Sequence, residues 1–336
     1  MHQPCLERDY GAIFSSRCNE VSCGAFMCNA IDTANAGDRS AHARYEMPVI
    51  PSRLLRPLGT LALVLFGLGA RGVWAQTPSP LQDWQYSGGI ILARLFEPDL
   101  PTWRNIIGAA AETEPIYEGA RAYRTSGGPV FNIRLRDEAF FSTGEGLGYN
   151  YLRGDHYEFG VGLAYDLGRK AREDLTNLRG MGDISPAPVG KLYGSVVLSR
   201  KFPLILRATA RQYIGGANGA VADLGVYMPL PGSSKSFVMF AGPSITLATR
   251  HYLQTLYGVT PDQSLASGHP AYDIHDSGTN KAGVGFSATK FVTKRFLVNL
   301  DMAISQLRGS PAGSPLTEER TQRVLALSFA YQWEKK

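Results

Sequence analysis

The sequence predicts an all-β protein, namely a transmembrane antiparallel β-barrel of a bacterial outer membrane with about twelve strands. Segments of about ten residues, in which apolar side chains alternate with small or polar ones, recur along most of the chain. Short turns and long loops connect these segments, and a stretch typical of an export signal precedes them. Helical periodicity does not extend over any long segment.

The chain divides into four predicted regions. Residues 1–46 are interpreted as a wrongly assigned upstream extension, 47–75 as a secretory signal peptide, 76–100 as a lead-in with a candidate first strand, and 101–336 as the barrel. The first region holds all the cysteines, and the spacing of Cys18, Cys23 and Cys28 fits no common zinc pattern. The remainder is free of cysteine, which suits an exported protein that does not depend on disulfides.

The signal peptide is predicted from a basic start, an apolar core and a small residue at the cleavage point. These features are Met47, Arg53, Arg56, the apolar residues 58–70, and cleavage between Ala75 and Gln76. As a helix the apolar core measures about 20 Å, which is too short to span a bilayer. Met47 is therefore predicted as the true start of the protein.

Twelve segments alternate in the way that strands require, because successive side chains of a strand point to opposite faces. They are 85–95, 103–112, 128–136, 140–151, 157–167, 191–200, 204–214, 220–228, 237–248, 282–292, 296–306 and 323–333. A count of ten remains open, because glycines could bend or split 140–151 and 85–95 could be a free lead-in.

The alternation also fits a water-soluble sandwich, so the choice of a membrane barrel depends on further features. The non-apolar face is rich in Gly, Ala and Ser and carries isolated charges such as Glu158, Asp166, Asp223 and Asp301. A lumen tolerates such charges, whereas an Arg or Lys facing lipid at mid-depth costs roughly 2–4 kcal/mol and an acid somewhat less. Aromatic residues near segment ends are typical of the two interfacial girdles.

The last segment places its large residues on one face and ends in aromatics. Phe329, Tyr331 and Trp333 are predicted to form the assembly signal that the barrel-assembly machinery recognises. The predicted surroundings of the barrel wall are outer-membrane lipid.

The connections predict the orientation of the barrel, because outer-membrane barrels keep short turns on the periplasmic side and long loops outside. The short turns are 201–203, 231–235 and 293–295, and the long loops are 168–190, 249–281 and 307–322.

Several loop and turn phrases carry a more specific resemblance. They are Glu114–Gly119, Gly144–Asn150, Leu178–Ile184, Val221–Gly225 and, most specifically, Tyr252–Tyr272. Taken in order, they resemble the MipA/OmpV family of MltA-interacting outer-membrane proteins over about 103–333. The chain departs from this family in two ways. Three residues follow Trp333, where members of the family usually stop, and the segment 76–100 before the first shared strand is longer than usual.

The resemblance implies an outer-membrane barrel that maintains the envelope. The best-known member of the family is a scaffold that links a murein-degrading lytic transglycosylase to a bifunctional peptidoglycan synthase. Both enzymes are therefore candidate partners. Other members are associated with osmotic response, adhesion or drug susceptibility.

Two functions from other classes stay open beside the scaffold. The first is a small-solute channel. The second is an outer-membrane hydrolase, for which one long loop supplies the residue types of a Ser/His/Asp unit or a metal site, without a diagnostic spacing. These residues are His251, His269, His275, Ser264, Ser267, Asp273 and Asp276. We expect no catalytic activity, cofactor or metal.

The sequence pattern disfavours two classes of ligand, namely nucleic acids and phosphate groups held by a glycine-rich loop. The chain has a net charge of +5, and its basic residues are scattered without the patch that nucleic-acid binding needs. The glycine-rich phrases 144–148 and 215–219 do not open a helix after a buried strand, so they do not predict a phosphate-binding loop.

Residues 252–259 are the candidate recognition element. A short helix here could fold into the barrel mouth with Tyr252, Leu256 and Tyr257 turned inward, as a gate or recognition surface. The alternative is an extracellular loop that packs only on itself.

Overall fold

The computed structural model describes residues 101–199, 204–234 and 236–335. The predicted regions 1–46, 47–75 and 76–100 lie outside the described residues, together with the candidate strand 85–95 and the cleavage site at Ala75 and Gln76.

The described residues form a closed barrel of twelve antiparallel strands, which confirms the predicted fold class and strand count. The last strand pairs with the first along most of its length, so the sheet closes on itself. The strands are β1 (Trp103–Pro115), β2 (Tyr123–Leu135), β3 (Ala139–Ser142), β4 (Gly146–Arg153), β5 (Tyr157–Asp166), β6 (Ala187–Val197), β7 (Ile205–Tyr213), β8 (Gly219–Pro229), β9 (Phe237–Ala248), β10 (Gly278–Phe291), β11 (Phe296–Leu307) and β12 (Thr321–Lys335).

The twelve strands are not the twelve predicted segments. The segment 140–151 is split into β3 and β4 by a turn at 143–145, and the barrel closes without 85–95. Gly146 begins β4 with φ +80°, a left-handed conformation that favours glycine, and a Cβ there would clash with the Leu163 carbonyl oxygen.

Side-chain orientation distinguishes this barrel from a soluble sandwich. Along β5 every odd residue is exposed and apolar, from Tyr157 to Tyr165, whereas Glu158 and Asp166 are buried in the lumen. Apolar side chains therefore cover the outside and charged ones fill the inside, as a bilayer requires. In 101–199, 204–234 and 236–335, no helix is both long and apolar enough to cross a membrane.

The two ends of the barrel differ. At one end, here called the turn end, lie the connections from β2 to β3, β4 to β5, β6 to β7, β8 to β9 and β10 to β11. At the other, the loop end, long connections lie at 116–122, 167–186, 249–277 and 308–320. Two connections at the loop end, 143–145 and 214–218, are short, so the expected alternation of short and long connections is wrong at these two places.

Three short helices stand in the long loops. They are α1 (Arg250–Tyr257), α2 (Pro261–Ser267) and α3 (Gly309–Gly313), and a 3₁₀ turn forms at Ala171–Glu173.

The barrel wall is incomplete beside β2. β3 has only four residues, and it pairs only with 132–135 at the turn-end portion of β2. Residues 123–131 therefore have no strand partner on that side among the described residues. We call them the open edge of β2.

Candidate functional site

The helix α1 folds into the mouth of the barrel at the loop end. Tyr252, Leu253 and Tyr257 are buried, and Leu256 packs against the same apolar cluster. The ring centroids of Tyr252 and Tyr213 on β7 lie 5.1 Å apart. Two of the predicted recognition residues, Tyr252 and Tyr257, therefore face inward, and Leu256 is partly buried; their role in gating or recognition stays a prediction.

Two other loops hold the carboxyl end of α1. The last carbonyls of a helix lack partners within the helix, so other groups must satisfy them. Arg169 Nη1 donates to the carbonyl oxygen of Leu256 at 3.0 Å, and Ser314 Oγ donates to that of Tyr257 at 2.6 Å. The charge of Arg169 also suits the negative end of the helix dipole.

The hydroxyl of Tyr257 reaches a partly buried polar cluster at the loop end. It donates to Glu118 Oε2 at 2.8 Å, and its oxygen lies 2.9 Å from Asn280 Oδ1. Asn280 Nδ2 donates to the same carboxylate at 3.2 Å, and Lys281 forms an ion pair with it. We call Tyr257, Glu118, Asn280 and Lys281 the mouth cluster.

The mouth cluster keeps Glu118 ionised. Burial raises the pKa of this carboxyl, but the charge of Lys281 and hydrogen bonds from Lys281, Tyr257 and Asn280 outweigh burial and lower the pKa to about 2. The pKa of Tyr257 is raised well above its usual range by burial and by the charge of Glu118. The tyrosine therefore stays a neutral donor to a charged acceptor, which gives a strong hydrogen bond.

The local sequence accounts for α2, which leads away from α1. Thr260 caps its start in a capping box with Gln263, Pro261 occupies the first turn, and Gly268 ends it in the left-handed region. Gln263 Nε2 also donates to the carbonyl oxygen of Met181 at 2.7 Å, which ties α2 to the loop 167–186.

The serine and histidine side chains of this loop do not form a nucleophile–base pair. The hydroxyls of Ser264 and Ser267 donate to the carbonyl oxygens of His269 and Gln263, both at 2.6 Å. His269 Nε2 lies 2.9 Å from the carbonyl oxygen of Asn177. His275 and Asp273 contact each other at 3.4 Å in an exposed position, and the described residues contain no group of His, Cys, Asp and Glu placed to hold a metal.

A network of charges fills the lumen below α1. Glu145 pairs with Arg134 at 2.7 Å and with Arg207 at 3.6 Å, and Arg207 reaches Glu158 at 3.7 Å. Farther along, Arg211 pairs with Asp223 at 2.6 Å. Side chains of this kind are tolerated inside because each finds opposite charge, and they occupy the space that a pore would need.

The lumen also contains a small cavity against β7–β12. Its volume is about 90 Å³, and Arg207, Asp223, Tyr227 and Lys281 are among its lining residues. Since one water takes about 30 Å³ of liquid, this space accommodates a few waters.

The predicted assembly-signal residues lie in the turn-end half of β12, on its outward face. Phe329 and Trp333 are exposed, and Tyr331 packs edge-on against Phe296 of β11 with ring centroids 5.0 Å apart. Their recognition by the barrel-assembly machinery stays a prediction.

Sequence reasoning missed Glu118, Arg169, Asn280 and Ser314 as partners of α1. They come from four separate connections or strand ends, so no local pattern marks them. The phrase Glu114–Gly119 singled out the segment that contains Glu118, but not its contact with Tyr257.

Comparisons with known proteins give one family and several remote structural likenesses. Comparison with curated proteins finds no match. Among solved structures, the chain is similar to the CymD monoaromatic hydrocarbon channel (10% identity, TM-score 0.37, 78% of this chain and 99% of that one). It is also similar to an outer membrane channel from Pseudomonas putida F1 (9% identity, TM-score 0.35, 70% and 96%). A third likeness is the translocator domain of autotransporter NalP from Neisseria meningitidis (13% identity, TM-score 0.32, 78% and 100%). At these TM-scores the likenesses carry no argument about function.

The family comparison covers most of the barrel. The sequence pattern described as MltA-interacting protein MipA matches residues 107–333, from β1 to the aromatic end of β12. The chain therefore belongs to the MipA family of outer-membrane β-barrels.

Proposed function

We propose that this barrel is an outer-membrane platform that binds a lytic transglycosylase, and through it a peptidoglycan synthase, at its turn end. The observation that carries the proposal is the filled lumen. Paired buried charges occupy it, and α1 closes its mouth, so the structure suits an anchor better than a pore. The family description, MltA-interacting protein, supplies the class of partner.

The turn end offers a surface for such a partner, because short turns of outer-membrane barrels face the periplasm. Exposed basic residues stand there at Arg136, Arg153, Lys294 and Arg295. They interleave with the exposed acids Glu138 and Asp155, so the surface is polar and carries charges of both signs. Such a surface favours specificity and association rate through complementary charge.

One turn on this surface is held in a costly conformation. Arg136 and Asp137 have φ of +48° and +52°, a region that residues with a Cβ adopt at some energetic cost. Arg136 N donates to the carbonyl oxygen of Thr102 at 2.8 Å, and Asn150 Nδ2 donates to that of Asp137 at 2.6 Å. These bonds fix the turn and leave the Arg136 side chain exposed toward the proposed partner.

Binding by the turn end is tested with a purified lytic transglycosylase and the protein isolated from membranes. Charge reversal by Arg136→Glu together with Lys294→Glu should lower the retained enzyme at least tenfold. The matched control is Arg179→Glu, an exposed arginine at the loop end, which should leave retention unchanged. Equal retention by all variants would remove the turn end from the proposal, and no retention by the unmodified protein would end it.

The channel and hydrolase alternatives make different predictions. A channel requires a continuous water path through the lumen, and a hydrolase requires activity that is lost on substitution of His251, His269 or His275. The filled lumen and the carbonyl-bound serines favour the platform over both.

A further inference from the structure

The gap beside β2 forms a lateral window in the barrel wall. One side of the window is the open edge of β2. The opposite side is the loop-end part of β5 at 164–166, which follows Leu163, the last residue of β5 that pairs with β4. The tip of the β3–β4 hairpin at 143–145 forms the floor. At the top, Arg124 pairs with Glu114 at 2.9 Å and reaches Glu173 of the loop 167–186 at 3.5 Å.

The window opens within the apolar belt of the barrel. On the intact side of β2, Gly127 and Pro129 are paired with Ala111 and Ala109 of β1. These alanines in turn pair with Leu327 and Phe329 of β12, which are exposed on the outer surface. The open edge therefore lies at the depth of hydrocarbon, and in the half of the barrel next to the loop end.

Backbone groups of the open edge face the gap. Phe131 exchanges hydrogen bonds with Thr143 on this side, so Gly127, Thr125 and Pro129, which follow the same alternation, also point toward it. Among the described residues, none forms a hydrogen bond on this side with the backbone N–H or C=O of Thr125 or Gly127. Unsatisfied groups in lipid cost several kcal/mol each, so a polar partner in the window would stabilise this edge.

The sequence of the edge disfavours another β-strand as that partner. Pro129 has no N–H at a position where a paired strand would need a donor, and proline on an edge opposes strand addition. The neighbouring residues Thr125, Ser126, Gly127 and Gly128 are small, so side chains from β2 cover little of either face of the window.

We propose that the window binds a membrane amphiphile that enters sideways from the lipid. Its polar head accepts and donates hydrogen bonds at the open edge of β2, and its hydrocarbon tail remains in the surrounding bilayer. Ser126 adds a hydroxyl on the lumen side of the open edge, whereas Thr125 faces outward with its hydroxyl 2.9 Å from that of Thr113, and the belt of β1 and β12 supplies the apolar side. This inference does not depend on the proposed enzyme platform.

The test uses the full chain in liposomes that contain a fatty acid with a diazirine in its tail. After irradiation, peptide mapping should find the label concentrated on 123–131 and 163–166, at least tenfold above the outward faces of β7 and β8. An even distribution over all outward strand faces would mean ordinary contact with bulk lipid and would overturn the proposal. This comparison of label between strands uses only the unmodified protein.

Two glycine variants locate the site. Gly127→Trp places an indole over the outward side of the window, and its backbone accepts a side chain because an added Cβ would meet only the Ala110 carbonyl oxygen at 3.5 Å. Gly278→Trp is the matched control, an exposed glycine of β10, which lies away from β2 and β5 in the barrel, with nothing within 4 Å of its Cβ. The label on 123–131 should fall at least tenfold in the first variant and stay unchanged in the second. Equal labelling of a folded Gly127→Trp and the unmodified protein would contradict the window as the binding site.

Discussion

At the scale of single residues, the contact between Tyr257 and Glu118 decides how α1 is held in the barrel mouth. The tyrosine comes from the longest loop and the carboxylate from the connection between β1 and β2, so their hydrogen bond joins two otherwise separate segments. Tyr257 is fully buried, and the ring and the hydroxyl therefore contribute separately, the ring by packing and the hydroxyl by bonding.

Tyr257→Phe should loosen α1 without emptying its site. The ring remains, but Glu118 loses a buried donor, which costs about 1–3 kcal/mol. Limited proteolysis in the loop 249–277 should become faster. Leu265→Ala on α2 is the control, since this leucine is 88% exposed and should leave the rate unchanged. Equal rates for Tyr257→Phe and the unmodified protein would show that the hydroxyl does not hold α1.

Glu118 makes the hold on α1 dependent on pH. Its pKa in the folded protein, about 2, lies below the ordinary value of 4.5, so the ionised carboxylate stabilises the mouth cluster above pH 4.5. This stabilisation is lost as pH falls from about 5 toward 2. Hydrogen exchange of the α1 amides, corrected for its intrinsic pH dependence, should accelerate over that interval.

Glu118→Gln provides the reference for this titration. Exchange in α1 should then be faster at neutral pH and should show no added step on acidification. A step of the same size in Glu118→Gln would assign the titration to another group.

At the scale of elements, the alternation of each strand decides which side chains face lipid. The depth of such a side chain in the bilayer then sets the free-energy cost of placing a charge there. Leu327 of β12 faces outward midway along the strand, whereas Thr321 begins the same strand at the loop end. Arginine facing lipid costs roughly 2–4 kcal/mol at the midplane and about 0–1 kcal/mol near an interface.

Leu327→Arg should therefore destabilise the folded barrel by roughly 2–4 kcal/mol, and Thr321→Arg by about 0–1 kcal/mol. Urea unfolding in lipid vesicles, followed by tryptophan fluorescence, measures the difference. If both substitutions cost the same, position 327 does not lie at the depth that the barrel assigns to it.

The strands show which elements a sequence specifies by itself. β5 was predicted almost residue for residue, because its apolar side chains face lipid and its small or charged ones face the lumen without interruption. The segment 140–151 was harder, because its glycines fit a bent strand as well as a hairpin. Only the pairing of β3 with the end of β2 decides between a bent strand and a hairpin. This pairing is a contact between strands, so the pattern within one segment does not contain it.

The mouth cluster could not be predicted for a related physical reason. The helical segment near 252–259 and its inward tyrosines follow from local sequence, and α1 begins and ends within two residues of that prediction. Its polar partners Glu118, Asn280 and Lys281 depend on how the connection 116–122, the loop 249–277 and the start of β10 meet at the loop end. No periodicity within one segment contains that information.

At the scale of the whole molecule, the barrel combines an apolar outer wall, which suits lipid, with an interior that buried ion pairs occupy. Buried ion pairs such as Arg134 with Glu145 are costly to desolvate and costly to break once formed, so the lumen resists local opening. A lumen closed by these pairs, as the platform proposal requires, would leave the turn end and the lateral window as the surfaces through which the described barrel acts.

The closed lumen is tested most directly by single-channel conductance of the protein, purified from membranes, in planar bilayers. The structure predicts no discrete current steps from a barrel whose folded state is verified by heat-modifiable gel migration. Reproducible openings of fixed size from the same preparation would contradict the filled lumen and, with it, the platform as the primary function.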